Sequence, residues 1–197
     1  MTTKTETREQ VGPAATSEAI DYYARPGVMT TAGQHIAMLE TLPEEIDALV
    51  RIVQGVTLHE YVASDLYGFQ IPDSRKSESH IRPAEELFSR LLALDARPLF
   101  VARPVDRRLI GVCRHFAVLL VAMLRAKGIA ARVRCGFGSY FNPGYFEDHV
   151  VCEIWNAAER RWLLADPQFD EAWRKALKID HDVLDVPRNR FLIAADA

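Results

Sequence analysis

Residues 111–128, "GVCRHFAVLLVAMLRAKG", set a lone cysteine beside an arginine and a histidine, in front of the unbroken apolar run 116–124. A run of that kind is apolar nearly all round a helix and belongs in the middle of a core, with Gly128 ending it. Cys113 then falls on the helix's first turn. Unpaired backbone N–H groups and the positive end of the helix dipole stabilise a thiolate there, which makes Cys113 the best nucleophile among the cysteines Cys113, Cys135 and Cys152. A thiolate needs a proton shuttle, and the shuttle needs an orienter. His149 opens one expected strand and Asp166 ends the next, one hairpin away, so a hydrogen bond between them is geometrically reasonable. Nucleophile, base and orienter together make the general logic of a catalytic triad.

The elements that must position these residues follow from periodicity. The central helix covers about 113–127. Three strands follow it, in "AARVRCGF", "DHVVCEIW" and "RRWLLAD", the last two joined by the turn "NAAER". Parity places Cys135 and Cys152 on apolar strand faces, where burial as small hydrophobes explains them. Upstream, one helix is expected after Thr41 with Pro43 in its first turn and the stripe Ile46, Leu49, Val50, Val53. A second is expected over 83–94, with 68–82 as a polar connection and "DARPLFVARPVDRRLIG" as a Pro-broken link. Residues 1–18 lack periodicity and are expected to be a disordered tail, followed by a single domain over 19–197. The C-terminal "RFLIAA" is expected to pack as an edge element.

Bulk composition narrows the function classes. The 197 residues are 49% hydrophobic and 26% charged, which is ordinary globular composition. A net charge of −3 gives no pull toward nucleic acid or membrane. The longest apolar run is far short of the ~20 residues that span a bilayer, and the polar N-terminus lacks the apolar stretch of a secretory signal. Three cysteines with no C-x-x-C pair suggest free thiols in a reducing compartment, the cytoplasm, and no metal site or cofactor.

The segment resembles a known family. A G-x-C helix start, an L-x-x-x-G-I-x-A-R element after the helix, a D-H strand and a W-x-x-x-D-P turn occur here in order as "GVC", "LRAKGIAAR", "DH" and "WLLADP". This is similar to the transglutaminase-like superfamily, a branch of papain-like cysteine enzymes, over about residues 108–170. The resemblance implies an α+β fold with a papain-like core, a central helix packed on an antiparallel sheet, plus N-terminal helices. It implies Cys113 as nucleophile, His149 as general base and acid, and Asp166 as orienter, with the Cys113 N–H in the oxyanion hole. Where protein-crosslinking members often carry Trp after the cysteine, this chain has Arg114.

The expected function is cysteine-dependent acyl transfer on an amide or thioester through an acyl-enzyme on Cys113. Water as acceptor makes an amidase, and an amine makes a transglutaminase-like amide synthase. The alternatives are a cysteine peptidase or deamidase, and a non-catalytic binding module that keeps the fold. The partner is a small-molecule, peptide or carrier-bound acyl substrate. Arg114, beside the nucleophile, is a candidate to hold the thiolate or a substrate carboxylate. Tyr140 and Tyr145, in the loop "GSYFNPGYFED" leading into His149, are candidates to wall an acyl pocket. His115, two residues from Cys113, faces another side of the helix and is expected to pack rather than act. Segment 97–134 carries nine basic residues against one acid, Asp106, and is either a positive rim at the site or a set of solvated positions.

Overall fold

A computed structural model describes residues 16–194. The chain opens with helix α1 (Ser17–Tyr23), whose first turn is capped by the Thr16 hydroxyl accepting from the Ala19 N–H. Ser17 and Glu18 are therefore helical, inside the span expected to be tail, and the rest of that tail lies outside the described residues. Helices α2 (Ile36–Glu40) and α3 (Ile46–Val56) follow. Helix α3 starts later than Pro43 because Thr41 is committed upstream, its N–H and hydroxyl both donating to the Met38 carbonyl at the end of α2.

Strand β1 (Thr57–His59) continues directly from α3 and pairs in parallel with β2 (Leu109–Gly111), in a register that sets His59 beside Gly111. Between them lie helix α4 (Ala63–Tyr67), a 3-10 segment (Asp73–His80) and helix α5 (Ala84–Leu94). The 3-10 segment corrects the polar connection expected there. It is pinned by buried Glu78, whose carboxylate accepts from Arg75, Arg90 and the Ile110 N–H. Its residue types are those of a loop, and only the distant partners make it ordered.

Helix α6 (Cys113–Ala126) is the centre of the molecule. The sheet beyond it runs in the order β5-β4-β3-β6, all antiparallel, from β3 (Ala131–Gly138), β4 (Glu147–Asn156), β5 (Arg161–Ala165) and β6 (Phe191–Ile193). One sheet face, with Ala131, Cys152, Ile154 and Ala165, packs on α6, whose other sides meet Leu49 and Val53 of α3 and Leu87, Phe88 and Leu91 of α5. Truncating a leucine at that junction, such as Leu120→Ala, costs about 2–5 kcal/mol. The second face, with Val151 and Leu164, is covered by Phe169 and by Trp173 of helix α7 (Glu171–Leu177). Strand β6 is the edge element expected from "RFLIAA". The architecture is α+β, a central helix on an antiparallel sheet with helices N-terminal to it. Among the described residues no helix is long and apolar enough to cross a membrane.

Candidate active site

Strand β2 delivers the chain to the front of α6. Val112 is extended at φ −123° and ψ 179°, and Cys113 is the first helical residue, half-buried. N–H groups of a first helical turn have no intrahelical acceptor, so they face whatever lies at the helix start. His115 secures that start. Its Nδ1 accepts from the Val112 N–H at 2.9 Å and its Nε2 donates to the Ile81 carbonyl at 2.9 Å. The ring is thus held as the neutral Nε2–H tautomer. Burial, then the neighbouring Arg114 charge, pushes its pKa down to about 4. A side chain at Gly111 would strike His115, its Cβ falling 2.8 Å from both Cβ and Cγ of that residue.

At the far side, His149 sits opposite Gly136 in the β3–β4 register, and Asp166 follows directly on Ala165, the last residue of β5. The β4–β5 pairing of Cys152 with Ala165 puts Asp166 diagonal to His149 on the same sheet face. His149 Nε2 and Asp166 Oδ2 lie 2.7 Å apart, both groups buried. The carboxylate is held in turn by the Tyr140 hydroxyl, which donates to Oδ2 at 3.1 Å, and by the Gln168 N–H, which donates to Oδ1 at 3.1 Å.

The Cys113 side chain lies close enough to the His149 ring to add to the shift of its pKa. Burial alone would disfavour the imidazolium. The Asp166 charge and hydrogen bond, with the nearby Cys113 side chain, outweigh it and raise the His149 pKa to about 9. Aromatic rings hold the imidazole in place: Phe169 stacks on it at 6.0 Å and 10°, and Phe141 meets it edge-on at 4.9 Å. Gly136 admits the ring of Phe191, which would lie 2.5 Å from an added Cβ.

The structure thus brings Cys113, His149 and Asp166 together. Other expectations divide, with the burial of Cys152 kept and several others changed. Cys152 is buried, its thiol donating to the Ala117 carbonyl at 3.5 Å, and burial holds its pKa well above the usual thiol value. Cys135 is exposed, not buried. Its strand partner Val150 is itself only partly buried against the core, so this face is incompletely covered there.

Arg114 does not turn to the sulfur: its guanidinium donates to the Ser79 carbonyl. Tyr140 is buried and bound to Asp166, so it belongs to the charge network and not to an open wall. Tyr145 is 72% exposed. The basic segment forms no common rim. Arg97 pairs with Asp95, Arg132 and Arg134 both pair with Glu153, and Arg125 and Lys127 donate to main-chain carbonyls. Among the described residues no group of three His, Cys, Asp or Glu side chains is placed to hold a metal ion.

Sequence reasoning passed over His59, Phe169 and Gln168. Phe169 and Gln168 lie just after "ADP", close enough to Asp166 that a turn there already implied neighbours. Nothing local marks His59; only the β1–β2 pairing carries it to the site.

Comparison with known proteins agrees with this core. Residues 94–167 match the family described as the transglutaminase-like superfamily. The chain is 36% identical over 70 residues to a protein-glutamine gamma-glutamyltransferase of Pseudomonas aeruginosa, an alignment covering 32% of this chain and 10% of that one. A solved structure from Cytophaga hutchinsonii, provisionally described as a cysteine protease, superposes with a TM-score of 0.50 at 18% identity, over 95% of this chain and 52% of that chain. The periplasmic domain of TgpA from Pseudomonas aeruginosa, bound to ethylmercury, gives 0.46 at 19% identity, over 79% and 50%, a likeness too loose to argue from. The chain spans about a tenth of the curated relative and about half of each solved structure.

Proposed function

We propose, from a chain that carries a transglutaminase-like core at residues 94–167, that the protein is a cysteine-dependent acyl-transfer enzyme. The observation that supports this most is the buried His149 ring, hydrogen-bonded through Nε2 to Asp166 and close enough to Cys113 for that side chain to raise its pKa. The Cys113 thiolate attacks an amide or thioester carbonyl, whose π electron pair moves onto the oxygen. Collapse of that intermediate expels the leaving amine or thiol, which takes its proton from the His149 imidazolium. The acyl group remains on Cys113 as a thioester. Neutral His149 then removes a proton from water or an amine as it attacks, and the thiolate leaves again. Asp166 keeps the ring oriented and stabilises its positive form in both half-reactions.

The acceptor is an amine in the reading we favour, because the relative matched at 36% identity is named as a glutamyltransferase. The acyl donor is a small-molecule, peptide or carrier-bound amide or thioester, met in the cytoplasm, where three free cysteines stay reduced. The test is intact-mass detection of an acyl adduct on Cys113 from a panel of amides and acyl thioesters. Faster release on adding primary amines than in water alone supports the transferase. An adduct that water clears at the same rate makes the protein a hydrolase. No adduct on Cys113 from any donor sinks the enzyme reading.

A further inference from the structure

Three histidines are buried at this site, and the mechanism above uses one. His115 is spent on the helix start. His59 is left over. It ends β1, and the parallel pairing with β2 sets it beside Gly111, two residues before Cys113. Its ring stacks on Phe116, three residues after Cys113 on the first turn of α6, at 6.3 Å and 27°, and meets Trp173 edge-on at 5.5 Å. The ring is clamped between the first turn of α6 and helix α7.

We infer that His59 is a catalytic hydrogen-bond donor, its Nε2–H binding the oxyanion that forms when Cys113 attacks. This rests on the acyl-transfer reading and deepens it. The tautomer follows from the structure: Nδ1 accepts the Tyr61 N–H at 3.4 Å, so the proton of the neutral ring is on Nε2, and Nε2 has no hydrogen-bond partner among the described residues. The ring stays neutral across the working range, because burial first, and the charges of His149 and His115 next, hold its pKa down to about 4. A ring that neither gains a proton nor gives one up is unsuited to acid or base work. It remains a fixed dipole with an unused N–H, and a donor of that kind stabilises developing negative charge at no cost in reorganisation. In the step itself the carbonyl oxygen gains the electron pair while the Nε2 proton stays on nitrogen.

The test uses p-nitrophenyl acetate as acyl donor and follows both the p-nitrophenolate burst and the acetyl adduct on Cys113 by mass. His59→Phe keeps a ring against Phe116 and Trp173 but has no donor, and its acylation rate is expected to fall about 100-fold. His59→Gln loses the ring but keeps an N–H, and is expected to recover most of that loss. Iodoacetamide alkylation of Cys113, which builds no oxyanion at a carbonyl, is expected to keep the wild-type rate in both variants. Wild-type acylation by His59→Phe overturns the inference while leaving the acyl-transfer reading intact. So does alkylation that falls in step with acylation, which marks a packing role. A wild-type protein that takes up no acetyl group on Cys113 removes the parent reading as well.

Discussion

The two ends of the site each bury a histidine, and they treat it in opposite ways. At the helix start His115 is 1% exposed, and at the sheet end His149 is 4% exposed, so burial does not separate them. His115 finds a main-chain N–H and a main-chain carbonyl, which satisfy a neutral ring, and its pKa falls to about 4. His149 finds a carboxylate, which satisfies a charged one, and its pKa rises to about 9. What decides between a structural and a chemical histidine is the charge of the partner. Parity and spacing in the sequence address which strand face a residue takes, not which partner waits there.

Removing that partner's charge is the strongest way to break the contrast. Asp166→Asn keeps the shape of the site but gives His149 a neutral neighbour like those of His115. Acylation of Cys113 is expected to fall on the order of 10³–10⁴-fold in single-turnover kinetics. The fall should come with a His149 ring that titrates below its wild-type position by NMR. The matching change at the other end, His115→Ala, leaves the Val112 N–H and the Ile81 carbonyl unpartnered. It is expected to cost about 2–4 kcal/mol in denaturant unfolding, with the His149 titration unchanged.

The two rings also tilt stability in opposite directions with pH. The folded pKa of His149 lies above the unfolded value of 6.5, so its contribution is fully present below pH 6.5 and is lost as pH rises through about 9. That of His115 lies below 6.5, so its contribution is present above pH 6.5 and is lost as pH falls toward about 4, with His59 acting in the same sense. Each slope is at most about 1.4 kcal/mol per pH unit per proton. Unfolding measured across this range should lose its alkaline fall in His149→Gln and part of its acid fall in His115→Ala. The smallest effect belongs to Tyr140→Phe. It deletes a donor to Asp166 Oδ2, leaves more of the carboxylate's charge for His149, and is expected to move its titration upward with only a few-fold change in rate.

The grouping of Cys113, His149 and Asp166 was legible because each sits at a position that periodicity defines: the front of an apolar run, the opening of an alternating strand, the end of its hairpin partner. The central helix and three of the sheet strands were legible for the same reason. Strands β1 and β2 are three residues each, too short to show a period, and they carry His59 to the site unseen. The 3-10 segment looks like a loop because Glu78 depends on Arg90 and Ile110, partners that no local pattern announces. Cys135 has the right parity for burial, but parity does not show how far along the strand the face is covered. Tyr140 is buried with its hydroxyl on Asp166 and not in an open wall, since a sequence does not show where a hydroxyl points.

The central claim, a Cys113 sulfur made reactive by His149, is tested most directly by the pH dependence of iodoacetamide labelling, with each cysteine followed by peptide mass. The exposed Cys135 is a built-in control for ordinary thiol reactivity, and Cys152 for a buried thiol. At pH 6 Cys113 is expected to label well ahead of Cys135, and His149→Gln should erase that lead. Cys135 labelling first at pH 6, or a Cys113 rate indifferent to the loss of His149, would contradict the account.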